Sequence, residues 1–418
     1  MIIILFMTPQ LLFYILISIL IVEFLIETLI DILNAKHYRK QIPEELVDVY
    51  PKDEYEKSIA YKKVNYKFKI INAAFSLLVI IAFFLLQGFA FLDQLVRSVS
   101  SNEVVISLLF FGSIVIVSDV LSIPSSYYRT FVIEEKFGFN KTSLKTFWID
   151  KLKGLLMIVL IGGPILAIIT WFYLKTQENF WVYAWIVMTG FAIIMNMFYA
   201  KLIVPLFNKQ TPLEQGSLRN VIETYSKEVN FGLKDIFVID GSKRSTKANA
   251  YFSGLGKEKR ITLYDTLIDD LNENEIVAVL AHEVGHFKKK HILINLFISV
   301  LVTGMTLFIF SLCINNPILS NALSIENPSF HIGLVVFGIL YSPISEVSGI
   351  VMNYVSRKFE FQADNYAKTT YSAEALISSL KKLSRNNLNN LTPHPAMVFV
   401  HYSHPTLLQR IQNIRNLT

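Results

Sequence analysis

The segment Ala281-His-Glu-Val-Gly-His286 carries two histidines four residues apart, with a glutamate beside the first. On a helix, His282 and His286 lie on one face, one turn apart, so their imidazoles can converge on one metal ion. Glu283 is displaced around the helix, where it can take a proton from an attacking water without being a ligand. The chemistry this trio suits is zinc-assisted hydrolysis; the bland alternative is a pair of surface histidines. The helix itself has local support. Asn272 with Glu275 three residues on is a capping-box pattern, and Ile276, Val277, Val279 and Leu280 make an apolar approach.

A catalytic zinc needs three protein ligands and one open position. The histidine six residues past His286 that a metzincin would supply is absent, since Ile292 stands there. A downstream glutamate is the other standard donor, and Glu326, Glu346, Glu360 and Glu374 are the candidates. Glu360 is favoured because it lies at the mouth of an apolar segment and has a companion, Asp364, on the same helix face. Asp364 can accept the second ring N–H of a ligand histidine and fix its tautomer. A solvated helix face is the alternative for this pair. The tail holds His401-Tyr-Ser-His404-Pro405 and then Arg410. A histidine and an arginine near the metal could stabilise the oxyanion of a tetrahedral intermediate, although alone they are ordinary polar residues.

These residues must be positioned by a membrane protein. Of 418 residues, 53% are hydrophobic and 17% charged, and the mean hydropathy is +0.44. A soluble domain is nearer a quarter charged. The formal charge of +6 is then a topology signal, and with no basic-aromatic patch nucleic acid is not an expected partner. The single cysteine, Cys313, excludes an internal disulfide framework. Seven stretches are long and apolar enough to span: about 8–33, 68–92, 104–124, 154–174, 180–205, 292–314 and 331–354. Loops near 35–67, 125–153, 206–291 and after 355 are rich in Lys and Arg, and the alternate loops are not. That pattern puts the metal motif on the cytoplasmic side.

The first span carries Glu23, Glu27 and Asp31, each four residues apart and therefore on one helix face. With Asp119 and Glu346, these acids suggest the wall of an aqueous interior; an ion path is the alternative. The segment Phe131 to Asn140, with its aromatics and Gly138, suggests an ordered re-entrant or interfacial piece. Residues 206–291 form the largest piece between spans. Leu218 to Val229 reads as a short amphipathic helix. Ile236–Ile239, Asn249–Phe252 and Arg260–Tyr264 read as strands, the last two joined by a turn with Gly254, Gly256 and Lys257. An edge strand beside a zinc helix can hold an extended substrate by main-chain pairing. Asn249 could offer its amide to that substrate, or be a plain strand-end residue.

The sequence resembles the type I CAAX prenyl endopeptidase family, seven-span integral-membrane zinc metalloproteases of the gluzincin type. The likeness runs through most of the chain. It includes Val132-Ile-Glu-Glu-Lys-Phe-Gly-Phe-Asn140, Pro205-Leu-Phe-Asn-Lys209 with Pro212-Leu213, Asn249-Ala-Tyr-Phe252 and Leu263-Tyr-Asp-Thr-Leu267. It continues through His282-Glu-Val-Gly-His286, Glu360-Phe-Gln-Ala-Asp364 and Tyr402-Ser-His-Pro405 to Arg410. The metal motif alone is widespread, but the set in this order is specific.

The resemblance implies a mostly α polytopic fold. Seven transmembrane helices would surround a water-filled chamber, with a small α/β metalloprotease domain on the cytoplasmic side. Residues 1–205 would hold spans one to five, 206–291 the segment with the metal motif and 292–354 spans six and seven. Residues 355–418 would complete the site. His282, His286 and Glu360 would bind one zinc ion. Glu283 would be the general base and Asp364 the orienting carboxylate. His404 and Arg410 would contact substrate or oxyanion, and Asn249 the substrate backbone. The partners expected are membrane lipid and a peptide or protein substrate, prenylated if the family's cut, the C-terminal tripeptide after a prenylated cysteine, carries over. The expected location is a bacterial inner membrane or the endoplasmic reticulum membrane. A broad membrane-protein quality-control protease is the alternative enzyme, and a transporter using the buried acids is the remote one.

Overall fold

A computed structural model describes residues 7–415 apart from 39, 234 and 254–259. The turn expected at Gly254, Gly256 and Lys257 lies outside the described residues. The chain is mostly helical. Six helical runs are long and apolar enough to cross a membrane: Pro9–Lys36, Lys52–Leu85, Glu103–Phe137, Leu144–Phe207, His291–Cys313 and Phe330–Thr370. By this measure the expected count of seven is not reached, because the stretches at 154–174 and 180–205 fall in one run of 64 residues. That run is not straight. Gln177 adopts φ 44° and a 3-10 turn over Gln177–Asn179 separates two α-helices. Large apolar side chains such as Ile71, Leu78, Leu160, Phe297, Met305 and Val347 are exposed. That much apolar surface is unfavourable in water and suits a bilayer.

Four of the five acids singled out in the spans are matched to specific partners. Lys69 bonds Asp31 at 2.7 Å and lies 3.7 Å from Glu27; Glu27 also meets His401 at 3.2 Å. Lys151 bonds Asp119 at 2.8 Å, and Ser342 donates to Glu23. Glu346 is exposed and has no such partner among the described residues. Paired acids at this depth avoid most of the cost of an isolated buried charge.

The piece near 131–140 is ordered, as expected, and is a helical continuation rather than a re-entrant turn. It continues the third span through a π-turn, Arg129–Glu134, and a last turn, Glu135–Phe137. Gly138 at φ 83° then closes the helix, as glycine does without steric cost in the left-handed region. Phe137 and Phe139 pack with Tyr61, Leu46, Leu391 and Ile411, tying the second span to the C-terminal tail.

The extramembrane part is built on a four-stranded sheet: β1 (Gln210–Pro212), β2 (Asp235–Ile239), β3 (Ala250–Ser253) and β4 (Arg260–Tyr264). The strand order is β1-β2-β4-β3, so β3 is an edge. β2 and β4 are parallel, while β1 with β2 and β3 with β4 are antiparallel. The strands at 236–239, 249–252 and 260–264 fall within a residue or two of expectation. β1 was not foreseen, since its three residues carry no β pattern. Ile236, Ile261 and Leu263 of the sheet pack on Ile276, Val277, Leu280 and Val284 of the helix Glu273–Lys288, which is the core of this part.

Candidate metal centre

Helix Glu273–Lys288 is started by a full capping box. The Glu275 N–H donates to Asn272 Oδ1 at 3.0 Å, and the Asn272 N–H donates to Glu275 Oε2 at 2.9 Å. Glu275 is held in turn by Lys382 at 2.8 Å and Ser378 at 2.6 Å, which locks the helix to Ala373–Asn386. Its other contact brings in the third ligand. Helix Phe330–Thr370 crosses it with Ala363 directly over Gly285. A Cβ added at Gly285 would sit 3.0 Å from Ala363 Cα and 3.1 Å from its carbonyl oxygen. The glycine inside the metal motif therefore permits an approach that any side chain would hinder, and Glu360 and Asp364 flank the contact.

His282, His286 and Glu360 meet there as a possible metal-holding group. His282 Nε2 is 3.1 Å from His286 Nε2. The Glu360 carboxylate straddles them, with Oε2 3.3 Å from His282 Nε2 and Oε1 3.3 Å from His286 Nε2. Donors at tetrahedral corners around a zinc with bonds of about 2.0–2.1 Å would lie about 3.3 Å apart. Burial sharpens the argument. Glu360 Oε2 is buried without a hydrogen-bond donor among the described residues. Two imidazole nitrogens and a carboxylate facing one another at this distance call for a cation between them.

The ring nitrogens behind the ligands are fixed. Asp364, fully buried, lies 2.9 Å from His282 Nδ1 and so holds the proton there, leaving Nε2 as the donor to metal. Arg410 clamps Asp364 with two bonds, Nη2 to Oδ1 at 2.5 Å and Nε to Oδ2 at 2.9 Å. Burial and the Arg410 charge push the His282 pKa down, but Asp364 and Glu360 push it up further, to about 9. A proton thus competes with a metal for this nitrogen at neutral pH. His286 has a comparable support that sequence reasoning missed. His291 Nδ1 is 3.1 Å from His286 Nδ1, and His291 Nε2 is 2.9 Å from Gln362 Oε1. The ring stacks on Phe359 at 4.1 Å. Gln362 Oε1 can only accept, so His291 donates from Nε2 and accepts at Nδ1 from His286. The tautomer of His286 is thereby set with Nε2 toward the metal position. The one signal for His291 was a histidine just past the helix end.

The ligands open onto a cavity of about 850 Å³ lined also by Glu283, Asn249, His404 and Arg410. All eight residues singled out in the sequence therefore come together. Glu283 has no ion pair or hydrogen bond among the described residues, which leaves its carboxylate free for a proton. His404 Nε2 is exposed toward the cavity, 3.3 Å from Glu360 Oε1. Its segment is held by Arg357, which donates to the Val398 and Tyr402 carbonyls. Asn249 precedes β3, and its Oδ1 accepts from the Ala250 N–H at 2.9 Å. Ala250, Tyr251 and Phe252 of the edge strand line the same cavity.

The comparisons agree with this geometry. Residues 31–209 match the family model of the CAAX prenyl protease N-terminal region, five membrane helices, and residues 212–418 match peptidase family M48. The rice CAAX prenyl protease 1 homolog is 35% identical, over 95% of this chain and 96% of the rice protein. CAAX prenyl protease 1 of Saccharomyces cerevisiae is 35% identical, over 91% and 90%. The crystal structure of S. mikatae Ste24p superposes with a TM-score of 0.91 at 33% identity, covering 96% of this chain and 99% of that one.

Proposed function

The chain belongs to the CAAX prenyl protease family of M48 peptidases and is a multi-pass membrane metalloendopeptidase, and we propose that it uses one zinc ion to remove the C-terminal tripeptide from chains ending in a prenylated-cysteine motif. The observation that carries the metal reading is the meeting of two imidazole nitrogens 3.1 Å apart with a buried carboxylate 3.3 Å from each, open to a cavity edged by β3. The substrate reading is supported by the names and near-full coverage of the relatives.

In this reading His282, His286 and Glu360 hold zinc, which when bound supplies Lewis acidity to the scissile carbonyl and its attacking water. β3 pairs with the extended substrate through its free main-chain edge, and Asn249 presents its amide to the same backbone. Glu283 takes the proton of the attacking water and passes it to the leaving amine nitrogen. His404 donates to the carbonyl oxygen as charge develops there. Arg410 lines the cavity but commits its guanidinium to Asp364, so its main part is to hold Asp364 and, through it, the His282 tautomer. The Lys- and Arg-rich loops support a cytoplasmic catalytic side, in a bacterial inner membrane or the endoplasmic reticulum.

The test is Glu283→Gln in the full chain. It should keep its metal and lose turnover by about 10²–10⁴-fold. Turnover near that of the parent would refute the assignment.

A further inference from the structure

The catalytic cavity is lined by two basic side chains of the lysine and arginine type, Arg410 and Lys62. Arg410 is neutralised by Asp364 at 2.5 Å. Lys62 has no ion pair and no hydrogen bond among the described residues. Its neighbours leave it so. Tyr61 donates to Glu134 at 2.7 Å, and Lys247 takes the rest of that carboxylate at 2.9 Å while bonding the Tyr61 hydroxyl at 3.0 Å. The local acid is thus spent on Lys247. One turn before Lys62, Ser58 bonds the carbonyls of Leu388 and Asn389. The helix is fixed there with Lys62 facing the cavity, beside the cavity-lining amides of Asn387, Asn389 and Asn390. A cation withdrawn from water with no counter-charge is a site for an anion.

Its place relative to β3 says which anion. Lys247 stands two residues before Asn249, so Tyr61 and Lys62 lie toward the N-terminal end of β3. β3 already pairs antiparallel with β4, and a substrate added antiparallel to its free edge runs the opposite way. The substrate's C-terminal side then points past Asn249 toward Lys62. Three extended residues beyond the cut span about 10 Å, and a chain ending there presents its α-carboxylate.

We propose that Lys62 receives the free α-carboxylate of the substrate and so fixes the cut at a set distance from the chain end. This deepens the reading of the substrate as a C-terminal motif, and it rests on that reading.

The test uses the zinc-loaded full chain in detergent and one prenylated peptide in three forms: free acid, C-terminal amide, and amide with aspartate as the last residue. The readout is the ratio of kcat/KM between forms. The parent should favour the acid over the amide by about ten- to a hundred-fold, the usual effect of one charged hydrogen bond. In Lys62→Gln the ratio should fall to near one with metal content unchanged, and in Lys62→Arg most of it should return. Equal cleavage of acid and amide by the parent would overturn the proposal, as would a parental ratio in Lys62→Gln. Cleavage of the aspartyl amide at the rate of the acid would overturn it too, by making Lys62 a reader of acidic side chains. An unprenylated acid cut as fast as the prenylated one would defeat the prenyl reading alone, and the acid-to-amide ratio would still decide Lys62.

Discussion

Gly285 is where one methyl group should separate metal binding from helix stability. In Gly285→Ala the new Cβ would lie 3.0 Å from Ala363 Cα, 3.1 Å from Ala363 O and 3.1 Å from Tyr366 Cβ. Carbon atoms rest at about 3.5–4.0 Å, so the two helices must part by roughly 0.5 Å. His282 and His286 ride on one helix and Glu360 on the other, and the parting falls across the three donors. Metal–ligand bonds tolerate only about 0.2 Å. The expected result is a loss of zinc affinity of about 10–100-fold, the size seen when a ligand's support is disturbed, with Gly285→Leu losing metal altogether. Intrinsic propensity acts in the other direction, since alanine favours a helix over glycine by about 1 kcal/mol; a weaker helix cannot then explain the loss. Competition titration against a zinc chelator, with hydrolysis measured in parallel, gives the answer. Parental zinc affinity and rate in Gly285→Ala would refute the view that this contact sets the metal site.

Three further outcomes follow from the same geometry. Asp364→Ala removes the partner of a largely buried guanidinium and should cost about 3–5 kcal/mol of stability, read as a lower thermal midpoint, with metal lost as the His282 tautomer is freed. His291→Leu should keep the fold and weaken zinc binding by about 10–100-fold in the same chelator titration; unchanged affinity would mean that His286 needs no support. Because the His282 pKa is raised to about 9, the imidazole is protonated below that pH and metal must displace the proton. Zinc affinity should therefore rise about tenfold per pH unit from neutrality toward pH 9, with about one proton released per metal. Calorimetry in buffers of differing ionisation enthalpy counts that proton.

The chemistry of the site was legible because it is written in short spacings. His282 and His286 four apart, and Glu360 and Asp364 four apart, each define one helix face without any tertiary knowledge. The Asn272–Glu275 box marked the helix start for the same local reason. What the sequence could not disclose depends on how helices meet. Gly285 reads as a weak helix residue until Ala363 is seen above it. His291 lies past a helix end, and its use follows from the left-handed Lys290 (φ 62°), which turns the chain so that the ring reaches His286. Arg410 was expected to contact substrate or oxyanion, and only the packing of the tail on the last span shows it bound to Asp364. The count of seven spans is not confirmed: the apolar stretches at 154–174 and 180–205 fall in one 64-residue helical run, broken between them by the turn at Gln177–Asn179.

The most direct test of the central claim is hydrolysis of a farnesylated CAAX peptide by the purified, zinc-loaded protein in detergent. The unlipidated peptide serves as comparison and Glu283→Ala as the blank. Cleavage that vanishes in Glu283→Ala and favours the lipidated peptide is the predicted result. No cleavage of either peptide by protein shown to hold zinc would contradict the account.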